Sequence, residues 1–217
     1  IADGQRDVIT KLSLKTRKFI GNTSMDPQLS LYMANQALVQ YGDIVLDPFV
    51  GTGSLLVAAS HFGGYVLGSD IDFLMLHGKT RPTRVQKKFG EKNSVKLIES
   101  IHTNLQQYGR ANQYLDVICG RCSSSLWKQR FKRDRIITDR SYILSEKCQK
   151  GKIRNMSQMN PMSCSFVRVS KFLFCFVYGY LFSFAAQHLK MGGRLVCWIP
   201  IVKFNHSPHI FHIEKYE

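Results

Sequence analysis

Apolar and polar positions along the chain sort into helices and short apolar strands that follow one another in turn. Asp26 stands where a helix N-cap is needed, Pro27 follows in the first turn, and Leu29, Met33 and Ala37 recur at four-residue spacing until Gly42 stops the helix. Asp43 to Asp47 is an apolar run closing on an acid, the pattern of a parallel strand buried on both faces. Beyond a glycine-rich turn, Ser54 to Phe62 reads as a helix closed by Gly63 and Gly64, and Tyr65 to Asp70 as a second strand closing on an acid. Val95, Ile98, Ile101 or His102, Leu105 and Tyr108 share one helical face that ends at Gly109. Leu115 to Cys119 and Arg135 to Asp139 supply the third and fourth strands. A helix from about Phe172 to Leu189 closes at Gly192 and Gly193, and Arg194 to Pro200 is the fifth strand. This alternation predicts an α/β fold: an open, mostly parallel sheet with helices on both faces.

The 217 residues suit one domain. Residues 1–23 read as a lead-in segment, 24–200 as the domain, with 143–170 an irregular basic loop, and 201–217 as a tail. The lack of an initiating methionine at Ile1 suggests a piece of a longer chain. The most apolar stretch, Phe172 to Ala186, is 15 residues long, short of the roughly 18–20 that a spanning helix needs, so it reads as a buried helix.

Charge changes the picture more than composition does. The chain carries 30 Lys and Arg against 15 Asp and Glu, a net +15, which favours a polyanionic partner, nucleic acid before membrane surface. Ten of these cations fall between Lys128 and Arg154, opposed there by Asp134, Asp139 and Glu146 alone, and a second cluster runs from Lys79 to Lys96. A solvated loop would look the same; the two clusters together point to RNA, with Lys128, Arg130, Lys132 and Arg133 as expected contacts. The six cysteines show one close pair, Cys119 and Cys122, and no second pair, so no metal site is expected. Reduced thiols and a cytoplasmic location fit better. His206, His209 and His212 read as solvent-exposed residues of the tail.

Two strand ends carry the candidate chemistry. The first delivers Asp47 into the turn Asp47-Pro-Phe-Val-Gly-Thr-Gly53, and the second delivers Asp70. In a doubly wound sheet ligands gather beyond such ends; glycines let the backbone approach a ligand, a helix start offers free amides, and a strand-end carboxylate can accept from both hydroxyls of a ribose. A dinucleotide site would want a third glycine where Leu56 stands, so the pattern favours S-adenosylmethionine over a nicotinamide dinucleotide. The bland alternatives are a tight connection at the turn and acids that merely cap the following helices.

Several motifs bring in a known family. Asn22-Thr-Ser-Met-Asp-Pro27, Leu46-Asp-Pro-Phe-Val-Gly-Thr-Gly-Ser54, Ala59-Ser-His-Phe-Gly63, Gly68-Ser-Asp-Ile-Asp72, Asn104-Leu-Gln-Gln-Tyr-Gly109 and Gly192-Gly-Arg-Leu-Val196 resemble the catalytic subunit of the tRNA (guanosine-10) N2-methyltransferases. The likeness covers roughly Lys18 to Pro200 and is densest before Tyr114. It implies a Rossmann-like methyltransferase fold, S-adenosylmethionine as methyl donor, tRNA as substrate, a THUMP domain upstream of Ile1, and a small zinc-containing activator subunit as partner. By that resemblance Asp47, with Gly51, Thr52 and Gly53, holds the methionine end of the cofactor. Asp70 holds the ribose, and Asp72 assists nearby.

The resemblance also assigns the base-presenting motif, Asp-Pro-Pro-Tyr in the family and Asp139-Arg140-Ser141-Tyr142 here. The amino group of guanine is a poor nucleophile, because its lone pair is delocalised into the ring. A carboxylate and a backbone carbonyl that accept its protons orient it and raise its electron density, and an aromatic ring stacks the base. Asp139 and Tyr142 are thus the candidate catalytic residues. Residue 140 keeps a carbonyl but not the fixed φ of proline that would aim it. Arg121 stands where the family has an acid facing the adenine amino group, and arginine is only a donor. These departures keep a second reading open: a weakened or inactive remnant that acts as an RNA- or partner-binding domain.

Overall fold

The computed structural model describes residues 6–21, 24–77, 79, 100–120, 126–128, 130–139 and 178–199. Among these described residues five strands, β1 (Ile44–Asp47), β2 (Tyr65–Asp70), β3 (Tyr114–Cys119), β4 (Arg133–Thr138) and β5 (Leu189–Cys197), form one sheet in the order β3-β2-β1-β4-β5. Every pairing is parallel. The helices are α1 (Arg6–Lys11), α2 (Pro27–Gln36), α3 (Ser54–His61), α4 (Phe73–Leu76), α5 (Ile101–Gln107) and α6 (178–188). Strand order reverses between β1 and β4, which is where such sheets bind ligands.

Successive strand residues point to opposite faces, and the core divides accordingly. Val45, Val66 and Ile137 join α2, α3 and α5 through Met33, Leu56 and Leu105. Leu46, Leu67 and Ile136 face Trp127, Phe184 and Ala185. Burial on both faces explains why these strands read as unbroken apolar runs. The sheet is open and parallel, as the alternation predicts, and Rossmann-like, as the resemblance implies.

The lead-in is not an appendage. Val8, Leu12 and Phe19 are buried in the same core as Leu56 and Leu105. Asn104, wholly buried on α5, accepts from the Phe19 amide at 2.8 Å and donates to the Phe19 carbonyl at 2.7 Å, as a neighbouring strand would. Gln107, one turn on, accepts from the Lys18 amide (2.9 Å) and donates to the Thr16 carbonyl (2.8 Å). Arg17 donates to the Ser54 hydroxyl, at the start of α3, and to the Leu12 carbonyl.

Three of the boundaries that differ from the sequence pattern have a cause in the local contacts. Helix α2 stops at Gln36, six residues before Gly42, because Leu38 turns to φ +51° and offers its carbonyl to the Arg135 guanidinium. The buried face of α2 is Ser30, Met33 and Ala34, while Leu29 is exposed. β4 begins two residues early, where the Asp134 carboxylate accepts from the Ile44 amide at 2.9 Å, and Asp139 falls just beyond its end. Gly192 and Gly193 lie inside β5 instead of before it: Arg133 pairs with Leu189 but Arg135 with Arg194, so the intervening residues bulge out. Gly192 has φ +74°, and a Cβ on Gly193 would come within 3.0 Å of the Asp134 carbonyl. Among the described residues no helix is long and apolar enough to cross a membrane. The described part of the apolar stretch, from residue 178, packs Tyr178, Leu181, Phe184 and Ala185 inward. Val95, Ile98, residues 143–170 and the tail lie outside the described residues.

Candidate functional site

The ends of β1, β2 and β4 bring three acids to one edge of the sheet. Asp47 closes β1 and is 2% exposed; its Oδ1 accepts from the Phe49 amide at 3.0 Å and from the Thr138 hydroxyl, at the end of β4, at 2.8 Å. Burial pushes its carboxyl up to about 7, and the charges of Asp70 and Asp139 add to the effect against the opposing bonds from Phe49 and Thr138. The end of the sheet therefore gathers acids in a dry place, where burial keeps Asp47 protonated to higher pH than a free carboxyl. Such a site suits a ligand carrying positive charge and repels the pyrophosphate of a dinucleotide.

Asp70, equally buried, ties the two strand ends together. Its Oδ2 accepts from the Gly51 amide (2.9 Å) and its Oδ1 from the Asp72 amide (2.9 Å). Asp72 in turn accepts from the Met75 amide at 3.0 Å as N-cap of α4, which is the capping role weighed above. The turn itself needs its glycines. Gly53 sits at φ +79°, and a Cβ there would lie 2.7 Å from the Ile101 side chain. Gly51, at φ +52°, faces open space, so the backbone is bare where a ligand would approach it. Thr52 is buried and its hydroxyl lies 2.6 Å from that of Ser24, which also accepts from the Gly21 amide at 2.9 Å. Ser24 thereby latches the turn to the segment before α2.

The structure brings together Asp47, Gly51, Thr52, Gly53, Asp70 and Asp72, and sets half-buried Asp139 close enough for its charge to act on Asp47. Tyr142, Arg140, Ser141 and Arg121 lie outside the described residues. Sequence reasoning missed Ser24 and Thr138. Ser24 stands within a quoted motif, and Thr138 is a polar residue in an apolar run directly before an acid; both signals were present.

The expected RNA contacts divide. Lys128, Arg130 and Lys132 are exposed, with Lys132 also donating to the Gln187 carbonyl at the end of α6. Arg133 does not reach the surface: it is 0% exposed. Its guanidinium carbon lies 4.7 Å from the ring centres of both Trp127 and Phe131, and Nη1 meets His188 Nδ1 at 3.0 Å. A cation beside the C-terminal end of α6 is favourably placed, and two aromatic faces offset part of its desolvation. The basic run thus serves the core as well as the surface. Among the described residues no three His, Cys, Asp or Glu side chains gather as metal ligands.

Residues 15–159 match the RMKL-like methyltransferase domain family, UPF0020. The chain is 43% identical over 207 residues to the tRNA (guanine(10)-N(2))-methyltransferase TRMT11 of Homo sapiens, covering 93% of this chain and 44% of that protein. It is 41% identical over 213 residues to the TRMT11 of Xenopus laevis, covering 97% of this chain and 43% of that protein. It therefore spans less than half the length of these curated relatives. TrmN from Thermus thermophilus shares the fold at a TM-score of 0.50 and 18% identity, over 87% of this chain and 40% of that one.

Proposed function

Because the chain belongs to the RMKL-like methyltransferase domain family, we propose that it transfers a methyl group from S-adenosylmethionine to the exocyclic amino group of a guanine in tRNA, position 10. The relatives named for that reaction support the substrate, and the observation that carries the cofactor is the buried acidic strand end at Asp47 beside the bare backbone of Gly51. The residues fit the donor: bound S-adenosylmethionine supplies a methyl group on a positively charged sulfonium and a free ammonium group. Asp47, ionised against such a cation, holds the methionine end with the amides of Gly51, Thr52 and Gly53. Asp70 fixes the turn and is the acceptor for the ribose hydroxyls, with Asp72 keeping the loop after β2 in place.

On the other side of the methyl group, Asp139 accepts a hydrogen bond from the guanine amino group and holds its lone pair toward the donor. Tyr142 is the stacking partner for the base. The reaction releases the amino proton, for which the Asp139 carboxylate is the acceptor in reach. We place the protein in the cytoplasm, with the small zinc-containing subunit as a partner of the whole protein.

Calorimetry tests the cofactor. The wild-type chain binds S-adenosylmethionine, and Asp70→Asn, which turns one acceptor of the Gly51 and Asp72 amides into a donor, binds about tenfold or more weakly. No heat from the wild type at millimolar cofactor would sink the enzyme reading and leave the RNA-binding remnant suggested by Arg140 and Ser141.

A further inference from the structure

Phe131 is a large aromatic residue left 41% exposed in the basic run, and its backbone is bonded on both sides. Its amide donates to the Lys128 carbonyl at 3.0 Å, and its carbonyl accepts from Arg133 Nη1. Its ring is backed by the Arg133 guanidinium, which also lies over the buried Trp127 ring. Trp127, Arg133 and Phe131 form a connected stack rooted in the core, and the outer member meets solvent. Exposed Lys128, Arg130 and Lys132 flank it in sequence, Lys132 with its ammonium on the Gln187 carbonyl, and the sequence from Val117 to Arg133 contains no acid.

The buried Arg133 guanidinium lies over this outward ring, 4.7 Å from its centre. An exposed aromatic face with cations on the neighbouring residues has the two parts of a single-stranded nucleic-acid site: a π surface for a base and charges for the phosphates on either side. We propose that Phe131 is a stacking platform for an unpaired base of the RNA substrate, with Lys128, Arg130 and Lys132 on the adjoining phosphates.

Its position says what kind of RNA it reads. Phe131 precedes β4 and Asp139 follows it, so the strand separates them by about 20 Å at roughly 3.3 Å per residue. A base on Phe131 is therefore several nucleotides away, along or across the fold, from the base at Asp139. The platform grips a folded RNA and leaves the reacting atoms untouched. This inference rests on RNA being the substrate, as proposed above.

The test uses the 217-residue chain with two fluorescent probes, an unmodified tRNA transcript and an unstructured RNA 12-mer. Phe131→Leu keeps the apolar bulk and removes the π face; it weakens binding of both probes by about tenfold, since stacking accounts for about 1–3 kcal/mol per base, and Phe131→Trp restores it. In methyl transfer, Phe131→Leu raises KM for tRNA and leaves kcat and the affinity for S-adenosylmethionine unchanged. Alanine at Lys128, Arg130 or Lys132 lowers the salt dependence of binding by about one counterion each. Equal affinity of wild type and Phe131→Leu for both RNAs, with cofactor binding intact, would overturn the platform while leaving the methyltransferase reading standing. Loss of methyl transfer in the wild type with the Phe131 effect on the 12-mer preserved would do the reverse. Binding to anionic vesicles that depends on Phe131, with none to RNA, would make the face a membrane contact and overturn the proposal.

Discussion

Asp47, the residue proposed above to meet the cofactor, is a stability liability in the bare fold, and Asp47→Asn exposes the cost. The carboxyl ordinarily titrates at 3.8 and is pushed up to about 7 here. Below pH 4 it is protonated in folded and unfolded chains alike and contributes nothing. As pH rises from 4 to 7 the unfolded chain ionises while the folded chain keeps its proton, so stability falls; above 7 the penalty stays constant. Between pH 5 and pH 8 that loss comes to about 2.5 kcal/mol at 1.36 kcal/mol per pH unit of unequal protonation. Asparagine keeps Oδ1 for the Phe49 amide and the Thr138 hydroxyl and cannot ionise, so it escapes this loss. For a domain of this size the gap in Tm between variant and wild type should widen by roughly 5–10 °C from pH 5 to pH 8. Thermal melts followed by circular dichroism at the two pH values measure it. The same variant binds S-adenosylmethionine more weakly, because the cation loses its counter-charge. A Tm gap that does not change with pH would refute the buried, destabilised acid and with it the electrostatic argument for a cationic ligand.

The remaining expectations concern the turn, the lead-in and the base. Gly51→Ala projects into open space and costs the fold only about 1 kcal/mol for its left-handed φ, yet it obstructs the ligand and lowers cofactor affinity in calorimetry. Gly53→Ala instead drives a Cβ toward Ile101 and should lower the urea midpoint by the equivalent of about 2–4 kcal/mol. Asn104→Leu strands the buried amide and carbonyl of Phe19 and destabilises by about 2–4 kcal/mol in urea titrations; a chain missing residues 1–21 should be insoluble or unfolded by circular dichroism. Asp139→Asn lowers kcat by about a hundredfold in a methyl-transfer assay with little change in cofactor affinity.

β1 and β2 were legible because burial on both faces writes them as continuous apolar runs ending in acids. Tyr65 to Asp70 was read to the residue. The turn after β1 was legible because only glycine tolerates φ +79° with Ile101 against it. What was hidden lies in contacts between residues far apart in sequence. No periodicity marks Asn104 as the mate of Phe19, which is 85 residues away, so the pattern set the lead-in apart from the domain. Arg133 was misread for the same reason: its cation is buried by Trp127, Phe131 and His188, and a charge run says nothing about which of its members turn inward. Leu38 ended α2 through a bond to Arg135, again a tertiary event that overrode the glycine signal at Gly42.

The central claim is tested most directly by following the product. Unmodified tRNA transcript is incubated with the wild-type chain and S-adenosylmethionine carrying a labelled methyl group, digested to nucleosides and resolved by mass spectrometry. The account predicts labelled N2-methylguanosine from a transcript with guanosine at position 10, and none from one with adenosine there or with the Asp139→Ala chain. Label in another nucleoside, equal label in the two transcripts, or none despite cofactor binding would contradict it.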